Sequence, residues 1–399
     1  NSPSPTNSPS PTNSPSPTNS PSPTNTPTPA PAFYSFGSIA NDGDSPYAGL
    51  VSDGAGNLYG TTTSGGANTK GTIFKIDMAT FTESIVYSFL GSPTDGLAPH
   101  ATLVTDGAGN FYGTTSAGGA NTNGTIFKFN TTTSAESVIY TFGNVPNDGA
   151  LPYAGLTPAA PGIFYGTTYQ GGNSVYGTVY KINVGTNVKT NLHSFNAGAD
   201  GAYPVAGLTK DPGTGNFYGL TSNGGIHGFG TIFKIDGVTD AKSTVYNFAG
   251  TLAGDGAVPM RAALVSDGIG MLYGTTANGG INGKGTIFKF DPSTNTETVL
   301  YSFGTTPSDG TNPYAGLLND IAASGNLYGT TYSGGSNSQG TVFKFNIATG
   351  VTTIIYSFGS VANDGKNPIA GLLSDGTFLY GTTYTGGANN RGTVFKIPK

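Results

Sequence analysis

Apolar and polar residues alternate in short runs along most of the chain, and glycine, asparagine or aspartate bounds nearly every run. In Ser84-Ile85-Val86-Tyr87-Ser88-Phe89 the alternation is expected to place Ile85, Tyr87 and Phe89 on one face of a strand. Three shorter runs precede it: Ala48 to Ser52, Leu58 to Thr62 and Thr72 to Ile76. A turn over Asp53-Gly54-Ala55-Gly56-Asn57 separates the first two, since these residues tolerate positive φ. A loop through Gly65-Gly66-Ala67-Asn68 separates the second from the third. No stretch combines helical periodicity with caps, so the unit is four strands and turns.

This unit recurs. The Tyr59-Gly60 phrase returns at Tyr112, Tyr165, Tyr218, Tyr273, Tyr328 and Tyr380, at intervals of 53, 53, 53, 55, 55 and 52 residues. Seven units of four strands predict an all-β fold, a seven-bladed β-propeller of four-stranded blades. A β-helix is the runner-up, but its rungs are much shorter than this period. Apolar residues on both sides of the third strand, such as Ile73 and Phe74, fit blades packed on both faces. Ala48-Gly49, Ala154-Gly155 and Ala315-Gly316 suit a crowded inner ring. The units start near residues 37, 90, 143, 196, 249, 304 and 359, within a propeller domain of residues 32–399.

The last unit lacks its fourth strand, while Phe33-Tyr34-Ser35-Phe36 stands alone at the front and matches Tyr87-Ser88-Phe89. The orphan is expected to close the ring as the outer strand of the seventh blade, which removes an exposed edge. The same strand offers a swap into a neighbouring copy. Residues 1–31 form a separate arm of Asn-Ser-Pro-Ser-Pro-Thr repeats, for which alternating proline favours polyproline II. A six-residue repeat makes two turns of that helix, aligning Thr6, Thr12, Thr18 and Thr24. With Thr26 and Thr28 these are candidate O-glycosylation positions on a stalk.

Composition narrows the function. Charged residues make up 9% of the chain and the net charge is −5, so no basic footprint for nucleic acid is present. The chain has no cysteine, which excludes disulfides and thiolate chemistry, and no apolar run reaches the ~18 residues of a membrane span. A surface of Gly, Asn, Thr and Ser points to export and an extracellular or cell-surface location. Beginning inside a Pro/Ser/Thr repeat, the chain reads as a processed product.

The recurring Leu-Tyr-Gly-Thr-Thr, Gly-Gly, Gly-Thr-Ile-Phe-Lys and Tyr-Ser-Phe phrases, with Asp-Gly-x-x-Pro-x-Ala-Gly-Leu, resemble the Gloeobacter/Verrucomicrobia-type tandem repeat of exported "choice-of-anchor" bacterial proteins. The resemblance covers residues 33–399. It implies display at the cell surface and brings no catalytic residue. Members commonly end in C-terminal anchor signals, and this chain ends at Lys399 without one.

No catalytic, cofactor or metal site is expected. His100, His193 and His227 lie in three different units, and His193 replaces the tyrosine of Tyr-Ser-Phe. Glu83, Glu136 and Glu297 form no evident carboxylate pair among themselves, though an aspartate can supply the second member. Asp42, Asp95, Asp148, Asp200, Asp255, Asp309 and Asp364 each precede a glycine and are expected to cap turns rather than ring a ligand. Lys75 and its six equivalents are expected to make structural pairs between blades. Candidate ligand or interface residues lie where the repeat breaks: Met260-Arg261 in the fifth unit, His227 and Phe229 in the fourth, and Tyr169, Tyr332 and Tyr384 as aromatic platforms.

Three functional classes follow. The first is a non-catalytic structural protein that self-associates through the arm or a swapped strand. The second is a lectin- or adhesin-like propeller that binds cell-surface glycans or proteins from a glycosylated stalk. An enzyme acting on polysaccharides is the least favoured.

Overall fold

The computed structural model describes residues 32–399. The arm, its polyproline II helix and its six threonines lie outside the described residues. Seven antiparallel sheets follow one another around a ring; six hold their strands in sequence order, the second with Gly96–Pro99 as an additional strand, and the seventh takes its outer strand from the N-terminal end. In the first blade Val51–Ser52 pairs with Asn57–Thr62, which pairs with Thr72–Asp77, which pairs with Thr82–Ser88. The protein is the seven-bladed propeller that the repeat predicts. The longer turn of the sixth unit adds one helical turn, Ile321–Ser324, that the sequence pattern did not announce.

The repeated phrases have separable physical roles. Thr62 and Thr72 are fully buried and share a hydroxyl hydrogen bond of 2.7 Å between the second and third strands. Equivalent pairs recur in the other blades, for example Thr115 with Thr125 at 2.8 Å. The next hydroxyl back along the strand reaches the neighbouring blade: Thr114 Oγ1 donates to Ala154 O at 2.9 Å. Apolar clusters fill all seven blade interfaces. Ile73 packs towards the second blade, with Leu103 and Phe127, whereas Phe74 packs towards the seventh, with Tyr380 and Val394.

One strand reading is corrected. Ile85 does not share a face with Tyr87 and Phe89. A register shift between Ile73 and Phe74 leaves Val86 as an extra residue, so Tyr87 opposes Ile73 while Ile85 opposes Phe74. Such a bulge turns the following side chains over. Ile85 therefore faces the seventh blade, and Tyr87 and Phe89 face the second.

The glycine of Tyr-Gly-Thr-Thr is explained by close approach. A Cβ added to Gly113 would lie 2.5 Å from Phe127 Cζ and 2.8 Å from Leu103 Cδ2. Both neighbours are buried core residues with no room to retreat. Gly113→Ala is expected to destabilise the propeller by ~2–3 kcal/mol through overpacking. Denaturant unfolding measures this, and a change within the ~0.5 kcal/mol typical of surface substitutions would refute it.

Closure is intramolecular. Ala32–Ser35 pairs antiparallel with Thr393–Pro398, matching Tyr34 with Val394 and Ser35 with Thr393. Thr382 Oγ1 donates to Ala48 O at 2.9 Å, repeating across the first and seventh blades the contact made between the second and third.

Candidate binding site

The segment before each first strand carries Pro-x-Ala-Gly or a variant of it, and seven such segments converge on the propeller axis. Their small residues let the backbones crowd: a Cβ on Gly316 would lie 2.9 Å from Ala263 O. Around the axis the inner segments line a cavity of about 310 Å³. Its wall includes Tyr47, His100 and Tyr153, the residues after the prolines of the first three units, together with Arg261. The volume falls at the lower end of the ~300–1,000 Å³ of small-molecule sites.

Arg261 owes its place to an insertion. Pro259-Met260-Arg261-Ala262-Ala263-Leu264 has one residue more than Pro46-Tyr47-Ala48-Gly49-Leu50. The extra length is taken up with Arg261 at φ +50°, a region that non-glycine residues rarely occupy. The side chain crosses the axis. Its guanidinium carbon lies 4.4 Å from the ring centroid of Tyr47 and 5.7 Å from that of Tyr153, so aromatic faces of the first and third units flank a cation from the fifth. Among the described residues no carboxylate pairs with Arg261 and no protein acceptor takes its hydrogen bonds. Burial pulls its pKa below the usual arginine value.

His100 shares this pocket. Burial, reinforced by the Arg261 charge, pushes its pKa down to about 3, so the ring is neutral at physiological pH. Its Nδ1 is buried and has no hydrogen-bond partner among the described residues. The ring meets Tyr47 edge-on at 4.8 Å and Tyr153 at 5.0 Å. The contacts continue on both sides, from Tyr47 to Tyr384 at 4.8 Å and from Tyr153 to Tyr169 at 5.4 Å. Tyr169 then stacks on Tyr203 at 4.8 Å. An unbroken aromatic arc thus runs from the seventh blade to the fourth.

Of the candidates taken from the sequence, Arg261, Tyr169 and Tyr384 meet in or beside this mouth. Tyr332 stacks on Tyr314 at 4.9 Å in the sixth unit. Met260 is half-buried and does not line the cavity. His227 and Phe229 are exposed on a separate loop, where the Phe229 ring covers the backbone at Gly250. Tyr47, His100 and Tyr153 were not singled out by sequence. Three of the seven units carry tyrosine after the proline, so the position reads as architecture. The missing signal is topological: a residue used once per blade near the axis becomes one shared ring.

The repeated polar residues are structural. Asp95 is 3% exposed; its Oδ1 accepts from Gly96 N at 2.6 Å, and its Oδ2 accepts from Tyr87 at 2.9 Å and Leu90 N at 2.7 Å. His193 takes over the tyrosine's role, bonding to Asp200 at 2.9 Å. The glutamates do acquire carboxylate neighbours: Tyr87 links Asp95 to Glu136, and Tyr34 and Tyr246 link Asp42 to Glu83 and Asp255 to Glu297. The same position holds Lys189 and Lys242 in the third and fourth blades, where they pair with Asp148 and Asp200.

Lys75 and its six equivalents do not all make the expected inter-blade pair. Lys181 pairs with Asp240 of the next blade, and the Lys396 ammonium lies 4.0 Å from the Phe378 ring centroid. Among the described residues, Lys75, Lys128, Lys234, Lys289 and Lys344 have no carboxylate at ion-pair distance. The repeat places a lysine there, but acidic residues opposite it are scarce.

Fold and site together define a tandem-repeat β-propeller with a cationic, aromatic mouth on its axis. The Gloeobacter/Verrucomicrobia repeat model matches residues 24–214 and 211–395, and the chain belongs to that family. No curated protein matches the sequence.

Similar solved structures include an extracellular domain assigned to a hybrid two component system of B. thetaiotaomicron, with a TM-score of 0.61 at 10% identity, covering 91% of this chain and 39% of that one. The xyloglucanase of glycoside hydrolase family 74 from Xanthomonas campestris gives 0.58 at 12% identity, over 91% and 55%. An oligogalacturonate lyase from Vibrio parahaemolyticus gives 0.55 at 11% identity, over 89% and 90%. At these identities the likeness concerns the propeller fold alone. Among the described residues no helix is long and apolar enough to cross a membrane.

Proposed function

We propose that this chain is an exported binding module that takes a carbohydrate in the mouth of its axis. The observation that carries the reading is a concave, polar-tipped aromatic wall, Tyr47, His100 and Tyr153, facing a cation that the protein leaves unpaired. Aromatic faces offer stacking surface to the C–H side of a pyranose ring, while phenol, imidazole and guanidinium groups bond to hydroxyls. The alternative of self-assembly by strand exchange gains no support, because Ala32–Ser35 is used in its own ring.

Screening the full chain against immobilised glycans tests the reading, with Tyr153→Ala as the site variant. A defined set of glycans is expected to bind, and the variant to lose at least ~10-fold while its melting temperature stays within a few degrees. Equal binding by variant and parent would reject the axial site.

A further inference from the structure

Resting on that reading of the mouth, we infer that the sugar it takes carries a carboxylate, as a hexuronate does, and that Arg261 is the group that recognises it. The half-buried Arg261 lines the cavity, with its guanidinium flanked by Tyr47 and Tyr153. A partly desolvated guanidinium in a concave site gains most from a carboxylate, which offers opposite charge and two acceptors together. The protein supplies such partners elsewhere: Lys189 and Lys242 each hold an aspartate. At Arg261 it supplies none among the described residues. The neutral His100 adds no second charge to the site.

The choice of side chain carries information as well. A structural plug for the axis needs only bulk, which an apolar residue would provide without desolvating a charge. Arginine presents a planar fork of donors that matches a carboxylate in two parallel hydrogen bonds. The fork is delivered by a one-residue insertion that none of the other six units has. The aromatic arc beside it distinguishes a ring-bearing anion from a bare one, since Tyr47 and Tyr153 contribute stacking surface that phosphate or sulfate cannot use.

Calorimetric titration of the full chain provides the test. The probes are a glucuronate disaccharide, the same disaccharide with its carboxyls reduced to hydroxymethyl groups, and inorganic phosphate. The acidic disaccharide is expected to bind at least 10-fold more tightly than either of the others. Arg261→Gln is expected to weaken the acidic disaccharide at least 10-fold and its reduced counterpart by much less, so that the preference between them is lost. Arg261→Lys, which keeps the charge but not the fork, is expected to fall between, and it serves if the glutamine variant does not fold. Equal binding of acidic and reduced sugars overturns the inference and leaves the glycan reading standing. Phosphate binding as tight as the acidic sugar, and equally dependent on Arg261, overturns the sugar part of the inference. If neither disaccharide binds, while the glycan screen finds other ligands that depend on Tyr153, the inference alone falls. If that screen also finds none, the binding reading falls with it.

Discussion

A chain that begins at Gly37 is expected not to form a stable closed ring. Among the missing residues, Ala32–Ser35 form the fourth strand of the seventh blade, and Tyr34 and Phe36 anchor it. Phe36 is fully buried between blades, in a cluster with Leu50, Leu58, Phe74 and Val394, and packs edge-on against Phe74 at 5.1 Å. Its amide donates to Gly392 O at 3.0 Å, and its carbonyl accepts from Asn389 Nδ2 at 3.1 Å. Tyr34 donates to Asp42 at 2.7 Å, joining the seventh blade to the first. Truncating one such phenylalanine costs ~3–5 kcal/mol. Removing the whole strand also opens the edge of Thr393–Pro398 and uncovers the cluster, a loss comparable with the ~5–15 kcal/mol of a typical folded protein. Size-exclusion chromatography and thermal unfolding are the measurements. Aggregated or non-cooperatively melting protein is expected. A monomer that melts with the full chain would show that the ring tolerates an open blade.

The fold was legible in the sequence because a propeller writes its geometry once per blade. The spacing of Tyr-Gly phrases counts the blades, and the displaced Phe33-Tyr34-Ser35-Phe36 phrase reveals where the circle is joined. Simple alternation misplaces Ile85 because it has no term for a bulge, and Val86 is as apolar as Ile85 beside it. The axial mouth was only half legible. Arg261 stood out as an irregularity, whereas Tyr47 and Tyr153 were hidden by their own repetition. His100 is inconspicuous in the sequence because its nearest partners, Tyr47 and Tyr153, lie 53 residues away in either direction. Repetition in sequence signals architecture wherever copies stay apart. On the axis of a ring the copies meet, and the same repetition builds a single site.

The blade interfaces yield the second large effect, a loss of stability in mild alkali. Burial, and then the charge of the adjacent aspartate, pushes Glu83, Glu136 and Glu297 up to about 8, against the hydrogen bond from a tyrosine that favours ionisation. Each also has a buried Oε1 with no partner among the described residues. The folded state therefore holds protons that the unfolded chain releases near pH 4.5. The stabilisation is fully present below that value and is lost as pH rises through about 8. The third and fourth blades fill the same position with Lys189 and Lys242, which meet the aspartates with opposite charge. Replacing all three glutamates by glutamine is expected to flatten the decline between pH 5 and 9. At pH 9 it is expected to raise stability by roughly 1–2 kcal/mol per site, below the ~1.4 kcal/mol per pKa unit limit because the groups are partly solvated. Glu136→Lys is expected to go further at the same pH, by restoring with Asp95 the pairing that Lys189 makes with Asp148. Melting curves across this range decide the matter. Parallel pH profiles for the parent and the triple glutamine variant would mean that the three carboxyls titrate as they do in the unfolded chain, and that the strain at these interfaces is not electrostatic.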